Sequence, residues 1–261
     1  MNIIDLTEEH KKLLSLCLED WSEEAKEAGP RRGLWYERLK DRGLRVKLAV
    51  DNAGAVGGMI QYLPIEHSHV GGEGLYFIPC IWVHGHKKGR GDFQKKGMGA
   101  ALLKAAEEDV RKAGAGGIAA WGLWLPFWMR ASWFRKHGFV KADRDGLMLL
   151  LWKRFKEDAR PPRWLKGGSR KPEVEPGKVT VTGLVSGWCL GYNLAFERAR
   201  QAAAEFPGRV VFREVDTSAR SVVEEWGCAD ALFIDGRKVR TGPPPSYEKI
   251  RRLIEKRVRR L

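Results

Sequence analysis

A short glycine- and lysine-rich segment carries the residue types that bind a phosphorylated ligand. It reads Gln94, Lys95, Lys96, Gly97, Met98, Gly99 and Ala100. The segment follows an apolar stretch and opens an amphipathic one, so its glycines stand where a helix is predicted to begin. The first amides of a helix have no intrahelical partner and lie at the positive end of its dipole, and glycine lets a ligand approach closely. A pyrophosphate fits these demands, and a glycine-rich turn that only enters a packed helix is the alternative.

Two common nucleotide sites do not fit this segment. No Gly-Lys-Ser or Gly-Lys-Thr follows the glycines, as a P-loop requires, and the third glycine position of a dinucleotide fingerprint is Leu102. The sequence therefore argues against a nucleotide hydrolase and against a dehydrogenase.

Two residues on the preceding apolar strand or at its end have side chains suited to catalysis. His84 could act as a general base, because an ordinary histidine has a pKa of about 6.5. Cys80 could donate a proton or act as a transient nucleophile. The alternatives are a surface-loop histidine and a small core residue. Glu73, before the strand, is a further candidate base or a solvated loop carboxylate.

Two His-x-His pairs, His67 with His69 and His84 with His86, lie at opposite ends of the same predicted strand. At about 3.3 Å per residue those ends are roughly 27 Å apart. One site of four histidines is therefore not expected, and we predict no metal site.

Aromatic residues are concentrated after the next predicted strand. The set comprises Trp121, Trp124, Phe127, Trp128, Trp133 and Phe134, with Pro126 among them. It could border a pocket for an apolar or aromatic amine. Packing of a helix against a sheet is the alternative.

The elements that position these residues form two predicted domains. In residues 1–160 the order is βααβββαβαβ, with strands at 3–4, 46–50, 56–63, 75–83, 118–122 and 147–152. The predicted helices are one beginning at Thr7 as N-cap, then 33–42, 97–113 and 126–137. This order is typical of an α+β or mixed α/β fold rather than a regular doubly wound sheet. Residues 161–177 contain seven prolines and glycines and are predicted to be a linker.

Residues 178–261 read βαβαββα, with strands predicted at 179–184, 210–215 and 231–234. Trp188-Cys189 stands at the turn into the first helix of this second domain. The last helix alternates basic residues with apolar ones and carries much of the net charge of +14. A solvated helix face is expected there. A nucleic-acid partner is not expected, because no Arg–aromatic RNA motif or zinc-finger spacing accompanies the helix.

Composition limits the class of protein. The chain has 261 residues, 43% of them apolar, without a long uncharged apolar run or the layout of a secretory signal. We therefore expect no membrane association. Four scattered cysteines do not make a disulfide scaffold, which favours a reducing, cytoplasmic setting.

Gln94-x-x-Gly97-x-Gly99, after a strand that ends Ile81-Trp82-Val83, resembles the Q/R-x-x-G-x-G/A motif of the GNAT superfamily of acyl-CoA N-acetyltransferases. Residues 131–139 resemble that family's helix-to-strand segment ending in Gly-Phe. The two-domain arrangement is most similar to the YoaP-like branch of the family. The resemblance covers roughly residues 1–155 and implies a mixed sheet that splays between the strands at 75–83 and 118–122.

Within that fold the resemblance implies acetyl-CoA as cosubstrate. Backbone groups of Ile81, Trp82 and Val83 would bind the pantetheine arm, and amides of residues 96–100 would bind the pyrophosphate. Lys95, Lys96 or Lys104 would bind cofactor phosphates.

The chain departs from the family pattern in three places. Phe134 replaces the tyrosine that commonly protonates the leaving thiolate, Trp128 replaces an asparagine, and the loop from His84 to Phe93 is longer than usual. These departures leave the catalytic residues open.

Residues 178–261 resemble a thioredoxin-like fold, although Tyr192 replaces the second cysteine of the CxxC motif and the expected cis-proline is absent. That arrangement implies that Cys189 and Cys228 are neighbours, with the Cys189 thiol pKa lowered at a helix N-terminus. The alternative is that both cysteines are small buried residues.

The sequence thus predicts an N-acetyltransferase that moves acetyl from acetyl-CoA to an unidentified primary amine. The alternative is a thiol-binding or redox protein acting through Cys189, with a first domain that binds CoA. The acceptor and the oligomeric state stay open.

Overall fold

A computed structural model describes residues 1–125, 128–165, 168, 170–240 and 243–261. The chain forms two compact units, one of residues 1–21 with 36–165 and one of residues 22–35 with 166–261. Part of the predicted linker, Lys166, Gly167 and Ser169, lies outside the described residues. Another part, Arg163–Trp164, is a short strand paired antiparallel with Val70–Gly71 in the first unit.

Residues 22–35 belong to the second unit, whereas the sequence pattern predicts them in the first domain. Ion pairs over long sequence separations hold this segment. The Arg198 guanidinium, whose side chain is 7% exposed, donates to Glu24 Oε1 at 2.6 Å and to Glu27 Oε2 at 3.0 Å. Arg31 donates to Glu197 Oε1 at 2.6 Å. Such pairs leave no periodic trace in a sequence.

The first unit is built on a mixed seven-stranded sheet of order β1-β2-β3-β4-β5-β7-β6. The strands are β1 (Asn2–Asp5), β2 (Arg45–Val50), β3 (Val56–Pro64), β4 (Leu75–Val83), β5 (Gly117–Leu123), β6 (Val140–Asp145) and β7 (Met148–Arg154). Neighbouring strands are antiparallel except β4 and β5, which are parallel. The predicted class, a mixed sheet flanked by helices, is confirmed.

The α-helices of residues 1–165 precede β2 or flank the later strands. They are α1 (Lys11–Ser15), α2 (Glu23–Lys26), α3 (Arg31–Leu39), α4 (Met98–Lys112) and α5 (Ala131–Lys136). The boundary between the units falls within α3. In α4, Leu102, Leu103, Ala106 and Val110 are buried on one face. Each buried leucine contributes about 1.5–3 kcal/mol, so this packing fixes the helix on the sheet and thereby its N-terminus.

The structure corrects two local predictions. Of the helix predicted over 126–137, the structure forms Ala131–Lys136, and just before it the Met129 carbonyl accepts a hydrogen bond from the Leu123 amide at 2.7 Å instead of an intrahelical one. Pro126 and Phe127 lie outside the described residues. Strand β6 is missed because its exposed, charged sequence lacks the apolar alternation of a half-buried strand. Thr7 is an N-cap as predicted, with Glu8 and Glu9 in the first turn; the helix it caps is a short 3₁₀ helix, Glu8–His10, and the cap makes no side-chain hydrogen bond.

The second unit has a four-stranded sheet of order β9-β8-β10-β11. Its elements are β8 (Val179–Val185), α6 (Leu190–Ala204), β9 (Val210–Asp216), α7 (Arg220–Trp226), β10 (Ala231–Ile234), β11 (Arg237–Val239) and α8 (Tyr247–Val258). Strands β8 and β9 are parallel, and the other pairs are antiparallel. The element order βαβαββα is the one predicted. Apolar residues of β8, α6, β10 and α8 form its core.

Within the described residues, every helix is too short or too polar to cross a lipid bilayer.

Candidate functional site

Strands β4 and β5 separate partway along their length. Their parallel pairing runs from Leu75 opposite Gly117 to Ile78 opposite Ala120 and ends there. Both strands nevertheless continue, β4 to Val83 and β5 to Leu123. The two strands therefore diverge at their carboxyl ends, where an extended ligand can enter between them.

Pro79 and a neighbouring bulge explain where the separation begins. Two residues of β4, Ile78 and Pro79, lie opposite the single residue Tyr62 of β3, so β4 bends at this point. Proline has no amide hydrogen for the ladder to β5. The Pro79 carbonyl instead accepts a hydrogen bond from Trp121 Nε1 at 2.7 Å. A tryptophan side chain thus takes an acceptor that a paired strand would otherwise use.

The glycine-rich segment forms the N-terminus of α4 beside this opening. Gly97 is the N-cap in the left-handed region with φ of 82°, which favours glycine, and it makes no side-chain capping bond. The first intrahelical bond runs from the Ala101 amide to the Gly97 carbonyl. The amides of Met98, Gly99 and Ala100 precede that bond, so they are the donors that a helix leaves for an external acceptor.

The end of β4, the start of α4 and the residues in and just before α5 line one cleft of about 790 Å³. Its walls include nine of the ten residues predicted for cofactor binding: Ile81, Trp82, Val83, Gln94, Lys95, Gly97, Met98, Gly99 and Ala100. The tenth, Lys96, places its ammonium 5.3 Å from the centre of the Phe93 ring. Lys104 is 80% exposed and lies 3.8 Å from Glu108.

Several cleft residues were not predicted from the sequence. They are Phe93, Met129, Arg130, Ser132 and Lys136. With Lys95, the two new basic residues give the described lining of the cleft three cations, and no carboxylate is among those lining residues. The basic residues around α5 are visible in the sequence, but only the tertiary structure shows that α5 packs beside α4. The cleft is suited to an anionic ligand.

Aromatic rings of α5 and of the segment just before it line one side of the cleft. Trp128 packs edge-on against Trp121 with ring centres 5.2 Å apart, and Trp133 does so against Phe134 at 5.0 Å. Phe134 is fully buried and Trp128 is 38% exposed, whereas Trp124 is 63% exposed and does not line the cleft. Pro126 and Phe127, also predicted here, lie outside the described residues.

His84 is buried, with both ring nitrogens engaged. Its Nδ1 donates to the Gly91 carbonyl at 2.7 Å, and its Nε2 accepts from Trp21 Nε1 at 3.1 Å. Arg90 ties the same loop to Asp20 through two contacts of 3.0 Å. These bonds favour a structural role for His84 in holding the long loop, and its predicted role as a base stays a prediction.

Cys80 is 4% exposed and lies opposite Gln61 of β3. The described lining of the cleft includes neither Cys80 nor His84. Cys80 is therefore buried and is not among the described residues that line the cleft, where its predicted chemistry would take place.

The histidine pairs do not come together. His69 is half-buried between Phe77 and Trp164, and the loss of hydration there lowers its pKa to about 4, so it is neutral near pH 7. The rings of His84 and His86 are 5.4 Å apart. Among the described residues, no group of three or more potential ligands lies within reach of one metal ion.

In the second unit, Cys189 is the N-cap of α6, and a carboxylate organises the turn before it. Asp230 accepts from the Ser186 amide at 3.0 Å, from the Ser186 hydroxyl at 2.9 Å and from Trp188 Nε1 at 3.0 Å. Burial raises the Asp230 pKa to about 6 against the opposing effect of these bonds.

Tyr192 lies among these groups. Burial first, and then the charges of Asp230, Cys189 and Cys228, raise the pKa of Tyr192 to about 12. The two predicted thiols therefore share the surroundings of one hydroxyl. Burial also raises the pKa of the Cys228 thiol, which disfavours its thiolate.

No family model matches the chain, and no curated protein matches it. Among solved structures it is similar to an acetyltransferase of the GNAT family from Brucella melitensis in complex with acetyl-CoA, at 16% identity and a TM-score of 0.40, over 62% of this chain and 94% of that one. It is also similar to the PaiA N-acetyltransferase from Thermoplasma acidophilum in complex with coenzyme A, at 19% identity and 0.43, over 59% and 100%. A GNAT acetyltransferase from Staphylococcus aureus gives 16% and 0.44, over 59% and 99%. Because the identities and scores are this low, a functional assignment has to rest on the chain's own residues.

Proposed function

We propose that the chain is an acetyl-CoA-dependent N-acetyltransferase of the GNAT type. One observation carries the proposal: the end of β4 beyond its pairing with β5, Ile81–Val83, and the uncapped N-terminus of α4 line the same cleft. The motif around Gly97 and Gly99 resembles that family's pyrophosphate loop, and the geometry suits a long ligand with one anionic and one amide-bearing part.

Different parts of the cleft would bind different parts of acetyl-CoA. The amides at the start of α4 are suited to the pyrophosphate, and Lys95, Arg130 and Lys136 supply positive charge around it. Among the described residues, β4 beyond Ile78 pairs with β3 alone, so Ile81, Trp82 and Val83 offer an edge to the pantetheine amides. Trp128 and Trp133 would cover the apolar segments of the arm.

The reaction forms a bond between the acceptor nitrogen and the acetyl carbon and breaks the thioester C–S bond. The amine loses a proton, and CoA leaves as a thiolate or thiol. Phe134 has no proton to give, so the chain would act by orienting the reactants and excluding water rather than by protonating sulfur. A thiolate is a tolerable leaving group near neutral pH, which makes this sufficient.

Other observations support a thioredoxin-like second domain and the YoaP-like branch. The strand order and βαβαββα connectivity of residues 178–261 support a thioredoxin-like second domain, and the two-domain arrangement supports the YoaP-like branch. We propose that this domain shapes or recruits the acceptor, an unidentified primary amine. The cytoplasmic setting stays a prediction.

The test is a turnover assay on the full chain. The protein is incubated in catalytic amount with acetyl-CoA and a panel of small, peptide and protein amines, while released CoA thiol and the mass of each acceptor are measured. We expect thiol release that depends on an amine, with a matching gain of one acetyl group on that amine. Tight binding of acetyl-CoA without acetyl gain on any acceptor would contradict enzymatic transfer.

The alternative function, thiol binding or redox chemistry through Cys189, has one observation in its favour. Cys189 and Cys228 both act on the pKa of Tyr192, so both thiols lie in the surroundings of that hydroxyl. Mild oxidation of the native thiols tests this alternative separately from acetyl transfer.

A further inference from the structure

The outer side of α8 and of the turn that follows it carries five basic residues, which we call the cationic ridge. It consists of Lys249, Arg252, Lys256, Arg259 and Arg260, all exposed. The opposite face carries Ile250, Ile254 and Val258, which are at most 5% exposed and belong to the core of the second unit. Because the apolar face of α8 packs in the core, the basic side chains of the ridge all face the solvent.

Four ridge residues have no ion-pair partner among the residues that the structure describes: Lys249, Arg252, Lys256 and Arg260. Arg251, on the same helix, is paired, since it lies 2.6 Å from Glu205. Within the ridge, Arg259 lies 2.6 Å from Glu255. Glu248 is the other carboxylate beside the ridge, so positive charge exceeds negative charge along it.

Two concave surfaces follow the ridge. One, of about 520 Å³, is lined by Ser246, Glu248, Lys249, Arg252, Leu253 and Lys256. The other, of about 410 Å³, is lined by Arg252, Glu255, Lys256, Arg259 and Arg260. Arg252 and Lys256 line both, so basic residues border one continuous shallow groove.

We propose that the cationic ridge binds the phosphate backbone of a nucleic-acid duplex without reading its sequence. At about 1.5 Å per residue, the ridge extends roughly 16 Å along the helix axis. A duplex presents about one phosphate charge per 1.7 Å of its axis, so several phosphates lie within reach of the five side chains. Backbone binding needs no base-reading motif, so the lack of an Arg–aromatic RNA motif or zinc-finger spacing does not argue against it.

Two other polyanionic partners fit the ridge less well. A helix that docks on a membrane inserts apolar residues, but the apolar face of α8 is buried and only Leu253, at 37% exposure, is apolar on the outer side. A stable interface with an acidic protein segment requires buried aromatic or aliphatic anchors, which the outer face lacks. A duplex requires only regularly spaced cations.

The experiment measures binding of the full chain to a fluorescein-labelled DNA duplex by fluorescence anisotropy at several salt concentrations. Contacts to about four phosphates predict a slope near −3.6 in a plot of log affinity against log salt. The variant carrying Lys249→Gln, Arg252→Gln, Lys256→Gln and Arg260→Gln should lose at least tenfold in affinity at low salt and most of the slope. All four side chains are exposed, and circular dichroism checks that the variant folds.

The matched control changes four exposed lysines elsewhere, Lys87, Lys88, Lys112 and Lys141, to glutamine, with the same change in net charge. We expect it to keep its affinity within about threefold, since total charge alone acts weakly once screened. An equal loss in the control would overturn the proposal. So would binding to anionic phospholipid vesicles without binding to the duplex, or competition by polyglutamate as effective as that by unlabelled duplex. The outcome does not depend on acetyl transfer.

Discussion

Gly99 allows the phosphate-binding role of α4 to be separated from its structural role. A Cβ built at Gly99 would lie 3.4 Å from Trp133 Cζ2 and 3.8 Å from Val83 Cγ2, which are ordinary contacts. Alanine therefore fits, and replacing a helical glycine by alanine gains about 0.5–1 kcal/mol of stability. A glutamate at this first turn gains a further 0.3–1 kcal/mol or so from the helix dipole. We expect Gly99→Glu to leave the unliganded protein as stable as the wild type, or more stable.

The same glutamate should abolish binding of acetyl-CoA. A carboxylate about 4 Å from a phosphate charge costs about 4 kcal/mol at an effective dielectric constant of 20, which corresponds to roughly a thousandfold in affinity. Wild-type protein should gain about 2.7 kcal/mol of unfolding free energy at a ligand concentration of about 100 times Kd, and Gly99→Glu almost none.

Calorimetric titration and thermal unfolding with and without acetyl-CoA measure both effects. Gly99→Gln is the matched control, because it adds the same bulk without the charge and should bind more tightly than Gly99→Glu. Equal affinity in these two variants would refute the placement of a pyrophosphate at α4. A loss of unliganded stability in Gly99→Ala would show that the space beside this residue is too small for a methyl group.

Three further predictions concern other residues. Burial raises the Asp230 pKa from 3.8 to about 6, so the folded state binds this proton more tightly than the unfolded state. The stability that this group contributes is therefore present at low pH and is lost as the pH rises from about 4 to above 6. The unfolding free energy of wild type relative to Asp230→Asn, from urea titrations, should therefore fall by up to about 3 kcal/mol from about pH 4 to about pH 7, and a constant difference would contradict it. Phe134→Tyr should give similar or modestly higher turnover in the CoA-release assay, since thiolate departure does not use that position; a large loss in a folded variant would show that the buried ring is needed for packing. Mild oxidation of the native protein should join Cys189 to Cys228, detected by mass spectrometry and absent in Cys189→Ser, provided that their Cα atoms lie within about 7 Å; two unreactive native thiols would leave the second unit as a structural or acceptor-binding module.

Apolar periodicity along the chain is sufficient to predict most of the elements. Strands β4 and β10 have the bounds that the sequence predicts, because both are continuous apolar runs between turn residues. Helix α4 agrees with its predicted range within one residue at each end, since glycines mark its start and its apolar stripe has helical spacing. Where periodicity is weak, the prediction misses the charged edge strand β6 and extends α5 over residues that precede it.

The chemistry of the candidate site was also largely local. The phosphate-binding segment is contiguous in sequence, so its residue types and their position at a helix start could be recognised without knowing what surrounds them. The cations Arg130 and Lys136 could not be assigned in this way, because their presence in the cleft depends on how α5 packs beside α4.

The sequence by itself determined the predicted elements and the anion-binding segment, because turn glycines and apolar spacing act on neighbouring residues. Only the tertiary structure decided where the sheet opens, through the Pro79 carbonyl bonded to a tryptophan 42 residues away. It alone placed His84 between Trp21 and Gly91 instead of in the cleft, and it alone assigned residues 22–35 to the second unit through the partners of Arg198. Side-chain hydrogen bonds and ion pairs between distant residues depend on the packed chain, and no pattern along the sequence encodes them.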